Sequence, residues 1–109
     1  MLRDALVVGI NTYQSLPLLQ TPAGDAAAIA QLLHTHGDFR VTRMPEIIQA
    51  GQPTVGVKTP VTLAELEAAL VRLFKPKGSS FPQTALFYFS GHGLQKDAGI
   101  QEGYLATSD

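Results

Sequence analysis

The run Thr84-Ala85-Leu86-Phe87-Tyr88-Phe89 is apolar and aromatic, and it stops abruptly at Ser90-Gly91-His92-Gly93. A short apolar run of this kind reads as a buried strand, and the break reads as a tight turn at its carboxyl end. Open α/β sheets bind ligands in the crevice outside the carboxyl ends of their strands. An imidazole held there suits proton transfer near neutral pH. The chain contains no Cys, so no thiol of its own can partner this His. On spacing alone two readings stand. One is a turn with a hydrogen-bonded surface His. The other is a catalytic His92, with Gly91 and Gly93 giving the backbone unusual freedom and the Gly93 amide aimed at an oxyanion.

The rest of the chain supports an α/β layer. Ala5-Leu6-Val7-Val8-Gly9-Ile10 is apolar and β-branched without helical spacing. It fits a strand covered on both faces, as in parallel sheets. Residues 11–20 form a loop with Pro17. Thr21-Pro22 then predicts a helix N-cap followed by Pro at the first helical position. Ala26, Ile29, Ala30 and Leu33 share a helical face, and Gly37 ends the helix after His34 and His36. Phe39 to Met44 alternates, with Phe39 and Val41 on one side and Arg40 and Thr42 on the other. That pattern predicts a second, less buried strand. Pro45 to Pro60 reads as a long surface loop, since it carries Gly51, Pro53 and Gly56. Thr62-Leu63-Ala64-Glu65 is a capping box, and Leu63, Leu66, Leu70, Leu73 and Phe74 continue as an apolar face until Lys75-Pro76-Lys77-Gly78. After His92 the chain is polar and glycine-containing up to Gly103, where Gly103-Tyr104-Leu105-Ala106 begins another strand. The order β-α-β-α-β implies a mostly parallel sheet with right-handed crossovers. The last strand stops where the sheet should grow, so the 109 residues read as the amino-terminal part of a larger domain.

Composition removes several function classes. Hydrophobic residues make up 45% of the chain, enough for a real core. A net charge of −1 without a basic cluster gives no pull toward nucleic acid or an anionic membrane. No segment is apolar for long enough to span a bilayer, and the start Met1-Leu2-Arg3-Asp4 is poor as a signal peptide. The absence of Cys removes disulfides and thiolate metal sites, and the expected compartment is the cytoplasm. The first strand-to-helix loop has no glycine-rich phosphate fingerprint, which argues against a nucleotide-binding domain.

Other polar residues carry weaker signals. Asp25 falls in the first turn of the first helix, where a carboxylate suits the helix dipole. It also stands ready to pair with a cationic substrate group. His34 and His36 are two apart and share no helix face, so they are not read as a metal pair. Asp97, Glu102 and Asp109 are scattered and match no calcium loop. Tyr13, Tyr88 and Tyr104 are read as packing residues.

Taken in order, these blocks resemble a known family. Ala5 to Tyr13 resembles the first strand of caspase-like cysteine peptidases of the metacaspase or orthocaspase type. Gly24-Asp25-Ala26 looks like the start of their first helix, and Ala85 to Gly93 like the strand bearing their catalytic His. Gly103 to Asp109 resembles the segment that comes after that strand in the family. The resemblance implies a three-layer α/β sandwich with a mostly parallel sheet, incomplete in this chain. It covers the amino-terminal, p20-like part of the domain. It also implies hydrolysis of peptide bonds by a Cys-His dyad, with the Cys at the end of the next strand and therefore outside this sequence. Carried over by residue, His92 is the general base and acid, and the Gly93 amide contributes to the oxyanion hole. Asp25 and Ser90 match positions lining a pocket for Arg or Lys at P1, the residue before the cut bond. No Arg stands near Gly24-Asp25, which argues against cleavage after Asp. Calcium-dependent members carry an acid-rich segment after the His, whereas Leu94 to Glu102 holds only Asp97 and Glu102, so calcium dependence is not expected, and no other cofactor or metal is implied. The partners implied are a peptide or protein substrate with a basic P1 residue and the rest of the domain. The alternative function is an inactive caspase-like interaction or regulatory module, and the 109-residue chain alone is expected to be inactive.

Overall fold

The chain folds around one short parallel sheet with a helix on each face. The structure, a computed structural model, describes residues 2–76, 78, 81–98 and 100–109. Strand β1 (Arg3–Gly9) is central, with β2 (Arg40–Met44) on one side and β5 (Thr84–Ser90) on the other, both parallel to it. Helix α1 (Pro22–His36) follows β1, and helix α2 (Leu63–Phe74) precedes β5. Alternation along β1 decides which layer each side chain joins. Ala5 and Val7 pack with Ala23, Ala26 and Ala30 of α1, while Leu6 and Val8 pack with Leu66, Ala69 and Leu73 of α2. The result is the three-layer α/β arrangement expected from the sequence.

Two helix signals resolve differently. Thr62 caps α2 with the full reciprocal box: its hydroxyl accepts from the Glu65 amide while the Glu65 carboxylate accepts from the Thr62 amide. Thr21 stands at the N-cap of α1 but makes no side-chain cap, because its backbone is already helical (φ −105°, ψ −25°). Asn11 takes that role from across the loop, its Oδ1 accepting the Ala23 N–H at 2.8 Å. On α2, Leu63 and Phe74 are exposed rather than part of the apolar face, and Ala69 takes the buried position.

Three expectations about strands are corrected. Residues 45–60 are not a plain loop: β3 (Glu46–Gln49) and β4 (Gln52–Val55) form an antiparallel hairpin. Ala50 and Gly51 turn it, both with positive φ (52° and 76°), as a two-residue hairpin turn requires. The run at residues 84–89 is not a buried strand but half-buried, because β5 is an edge strand among the described residues. The segment at residues 103–106 does not extend the parallel sheet. Instead β6 (Gly93–Ala98) and β7 (Ile100–Leu105) pair antiparallel as a separate ribbon. Lys77, part of the expected stop after α2, lies outside the described residues, as do the side chains of Asp97 and Glu102.

Candidate functional site

His92 sits where β5 hands over to the β6–β7 ribbon, at the carboxyl end of the sheet. Gly9 and Ser90 are opposed in register at the ends of β1 and β5, and the Ile10 amide donates to the Ser90 carbonyl at 3.0 Å. From there the chain crosses this edge as the loop of residues 11–21. The Leu19 N–H donates to the Asn11 carbonyl at 2.9 Å and closes the loop on itself. The loop brings Tyr13 and Pro17 against His92.

Tyr13 is buried (6% exposed), and its ring packs in the α2-side core. Its hydroxyl accepts the His92 backbone N–H at 2.8 Å and donates to the Ala106 carbonyl at 3.2 Å. The Ala106 N–H in turn donates to the His92 carbonyl at 2.9 Å. His92 and Ala106 therefore oppose each other as the next rung beyond the β6–β7 ladder. One of the two bonds of that rung is direct. The other is relayed through the phenol. Burial pushes the Tyr13 phenol above its ordinary range, and the His92 N–H offsets this in part by favouring the phenolate. The Tyr13 and His92 rings also meet edge to face, 4.7 Å apart at 70°.

The imidazole is anchored on its far side. His92 Nε2 lies 2.8 Å from the Pro17 carbonyl oxygen. A carbonyl can only accept, so Nε2 carries a proton, and in the neutral ring the lone pair falls on Nδ1. The ring is thus fixed in one tautomer by a backbone group that cannot titrate.

The glycines beside His92 do not act through unusual backbone angles, since neither has a positive φ. Gly91 is required for space: a Cβ there would stand 2.5 Å from the Tyr13 hydroxyl. Gly93 is exposed and begins β6 opposite Leu105. Hydrogen-bonded and non-hydrogen-bonded pairs alternate in an antiparallel ladder. Because His92–Ala106 is bonded, the next pair is not, and the Gly93 N–H points away from β7.

Asp25 and Ser90 share the same edge of the sheet as His92. Asp25 is exposed in the first turn of α1, its amide bonded to the Thr21 carbonyl at 2.9 Å. Leu86 and Tyr88 of β5 pack on the α1 side, so alternation puts Ser90 on that side too. No hydrogen bond or ion pair joins Asp25 to Ser90 or His92 among the described residues. No cluster of three or more His, Cys, Asp or Glu gathers to hold a metal ion among the described residues. Sequence reasoning missed Tyr13, Pro17 and Asn11 as site-building residues. For Tyr13 a signal existed: it lies just past the end of β1, on the edge where the site forms.

The parallel α/β layer thus holds a tautomer-fixed imidazole at its carboxyl edge. The caspase domain matches residues 2–109, and the chain belongs to that peptidase family. Neither a curated protein nor a solved structure matches it. Among the described residues no helix is long and apolar enough to cross a membrane.

Proposed function

We propose that the chain supplies the proton-transfer half of a caspase-like cysteine endopeptidase of the metacaspase type, acting on proteins after Arg or Lys. The observation that carries this reading is the His92 Nε2–H bond to the Pro17 carbonyl. It leaves Nδ1 as the basic nitrogen of a ring held by the Pro17 carbonyl and the Tyr13 ring. His92 Nδ1 takes the proton of a Cys thiol carried outside these 109 residues, since the chain itself has none. The thiolate attacks the scissile carbonyl, and His92 returns the proton to the leaving amine. The Gly93 amide, aimed away from β7, donates to the oxyanion. Asp25 and Ser90 form the wall of the P1 pocket, where a carboxylate pairs with a guanidinium or ammonium and repels an acidic side chain. The scheme calls for no metal or other cofactor, and the protein acts in the cytoplasm.

A P1 library profile of the full-length protein and of Asp25→Ala tests this. The wild type should cut after Arg and Lys, and Asp25→Ala should lower those rates selectively. A preference for Asp at P1, or unchanged Arg and Lys cleavage in Asp25→Ala, would defeat the assignment.

A further inference from the structure

Arg43 is a largely buried residue whose guanidinium has no counter-charge among the described residues. It is only 9% exposed, and it makes no hydrogen bond or ion pair among the described residues. Along β2, Val41 packs toward α1 and Met44 toward α2. Arg43, two residues after Val41, therefore points to the α1 side, where alternation calls for an apolar residue. Taking a charge out of water without a partner is strongly unfavourable. None of its nitrogens is both sealed from solvent and unpartnered, so the guanidinium faces open space. That space is an open surface cavity of about 330 Å³ between α1, β2 and β4, lined by Arg43 and the exposed residues Gln31, His34, Thr35, Gln52 and Pro53.

The lining holds several side-chain donors and no carboxylate. Gln31 Nε2 donates to Thr35 Oγ1 at 2.9 Å, which leaves the Thr35 hydroxyl proton to point elsewhere. The Gln52 amide comes from the opposite wall on β4, and His34 adds a ring nitrogen. Donors on α1 and β4 beside the guanidinium carried by β2 suit an acceptor with oxygens in several directions. A tetrahedral phosphate meets more of them than a planar carboxylate does. The volume exceeds by far what a single water needs, about 10–15 Å³, so there is room for an organic group beside the phosphate. None of the residues around His92 lines this cavity.

We propose that this cavity binds a small-molecule phosphate monoester, with Arg43 as its anchoring cation. The test is titration of the full-length protein with phenyl phosphate, inorganic phosphate and benzoate at fixed ionic strength. Affinity is read from side-chain amide NMR signals of Gln31 and Gln52, and stability from Tm. Phenyl phosphate should shift those signals saturably and raise Tm, binding more tightly than the other two. Arg43→Met should weaken binding roughly ten- to hundredfold, the worth of a charge-assisted hydrogen bond. Gln52→Glu, at an exposed hairpin position, places a carboxylate in the cavity and should abolish the response without touching the core. It decides the matter alone if Arg43→Met does not fold. The proposal is overturned by the absence of a saturable response to phenyl phosphate. It is equally overturned by a response that survives in Gln52→Glu, or by benzoate or inorganic phosphate binding as tightly as phenyl phosphate.

Discussion

Gly91→Ala places a methyl group 2.5 Å from the Tyr13 hydroxyl and 3.1–3.2 Å from the Phe89 ring. Ordinary contacts lie near 3.5 Å, so the phenol must retreat by about 1 Å. It cannot do so and keep its bonds to the His92 N–H (2.8 Å) and the Ala106 carbonyl (3.2 Å). Each bond contributes about 1 kcal/mol net, and the overpacking adds about 1 kcal/mol more. Gly91→Ala should therefore cost about 3 kcal/mol. Tyr13→Phe loses the same two bonds and leaves both backbone groups unpaired in a buried setting, for about 2 kcal/mol. In the double variant the methyl enters the space the oxygen vacated, and the bonds are lost only once. Its cost should be about 2–3 kcal/mol, well short of the two single costs taken together. The coupling of about 2 kcal/mol far exceeds the ~0.5 kcal/mol scatter of independent sites. Urea midpoints at unchanged m-value measure all four corners of the cycle. Additive costs would show that the hydroxyl does not lie against Gly91, and the account of how His92 is held would fall.

The raised Tyr13 pKa gives a pH signature. The folded state holds the phenol protonated more strongly than the unfolded chain does, so this stability is complete below pH 10 and is lost as pH rises through the folded pKa. Stability measured at pH 9 and at pH 11 should fall less in Tyr13→Phe than in the wild type. An equal fall in both would refute the assignment. Gly9→Ala should be worse tolerated than most substitutions in the chain. Its Cβ would collide with the Pro22 carbonyl oxygen and with Ala26 Cβ, and a backbone oxygen cannot rotate aside. A loss of about 3 kcal/mol is expected, a fall in Tm of about 10 °C or more at this size. A variant as stable as the wild type would contradict the packing of α1 on the end of β1.

The central layer was legible because its signals are local. β1 is a continuous apolar run, α2 carries a complete capping box, and the break at Ser90–Gly93 marks the end of β5. The β3–β4 hairpin was not legible. Its strands are four residues each, Pro53 sits within one, and its turn uses Ala50 rather than the usual Asn before Gly51. The exposure of β5 depends on which strands flank it, and sequence periodicity does not carry that. His92 could be singled out from its setting alone. Its supports could not, because Tyr13 and Pro17 lie 79 and 75 residues away in sequence. A hydroxyl that relays a ladder bond leaves no trace in spacing. Arg43 escaped notice for the opposite reason. An Arg on a short, half-exposed strand reads as surface, and only the packing of α1 and β4 over it reveals the burial.

The most direct test of the proposed role of His92 is kcat/KM for hydrolysis of an Arg-terminated fluorogenic peptide by the full-length protein and by its His92→Ala variant, both shown to be folded. Removing the proton-transfer group should lower kcat/KM by roughly 10²–10⁴-fold. A folded His92→Ala variant that retains wild-type kcat/KM would contradict it.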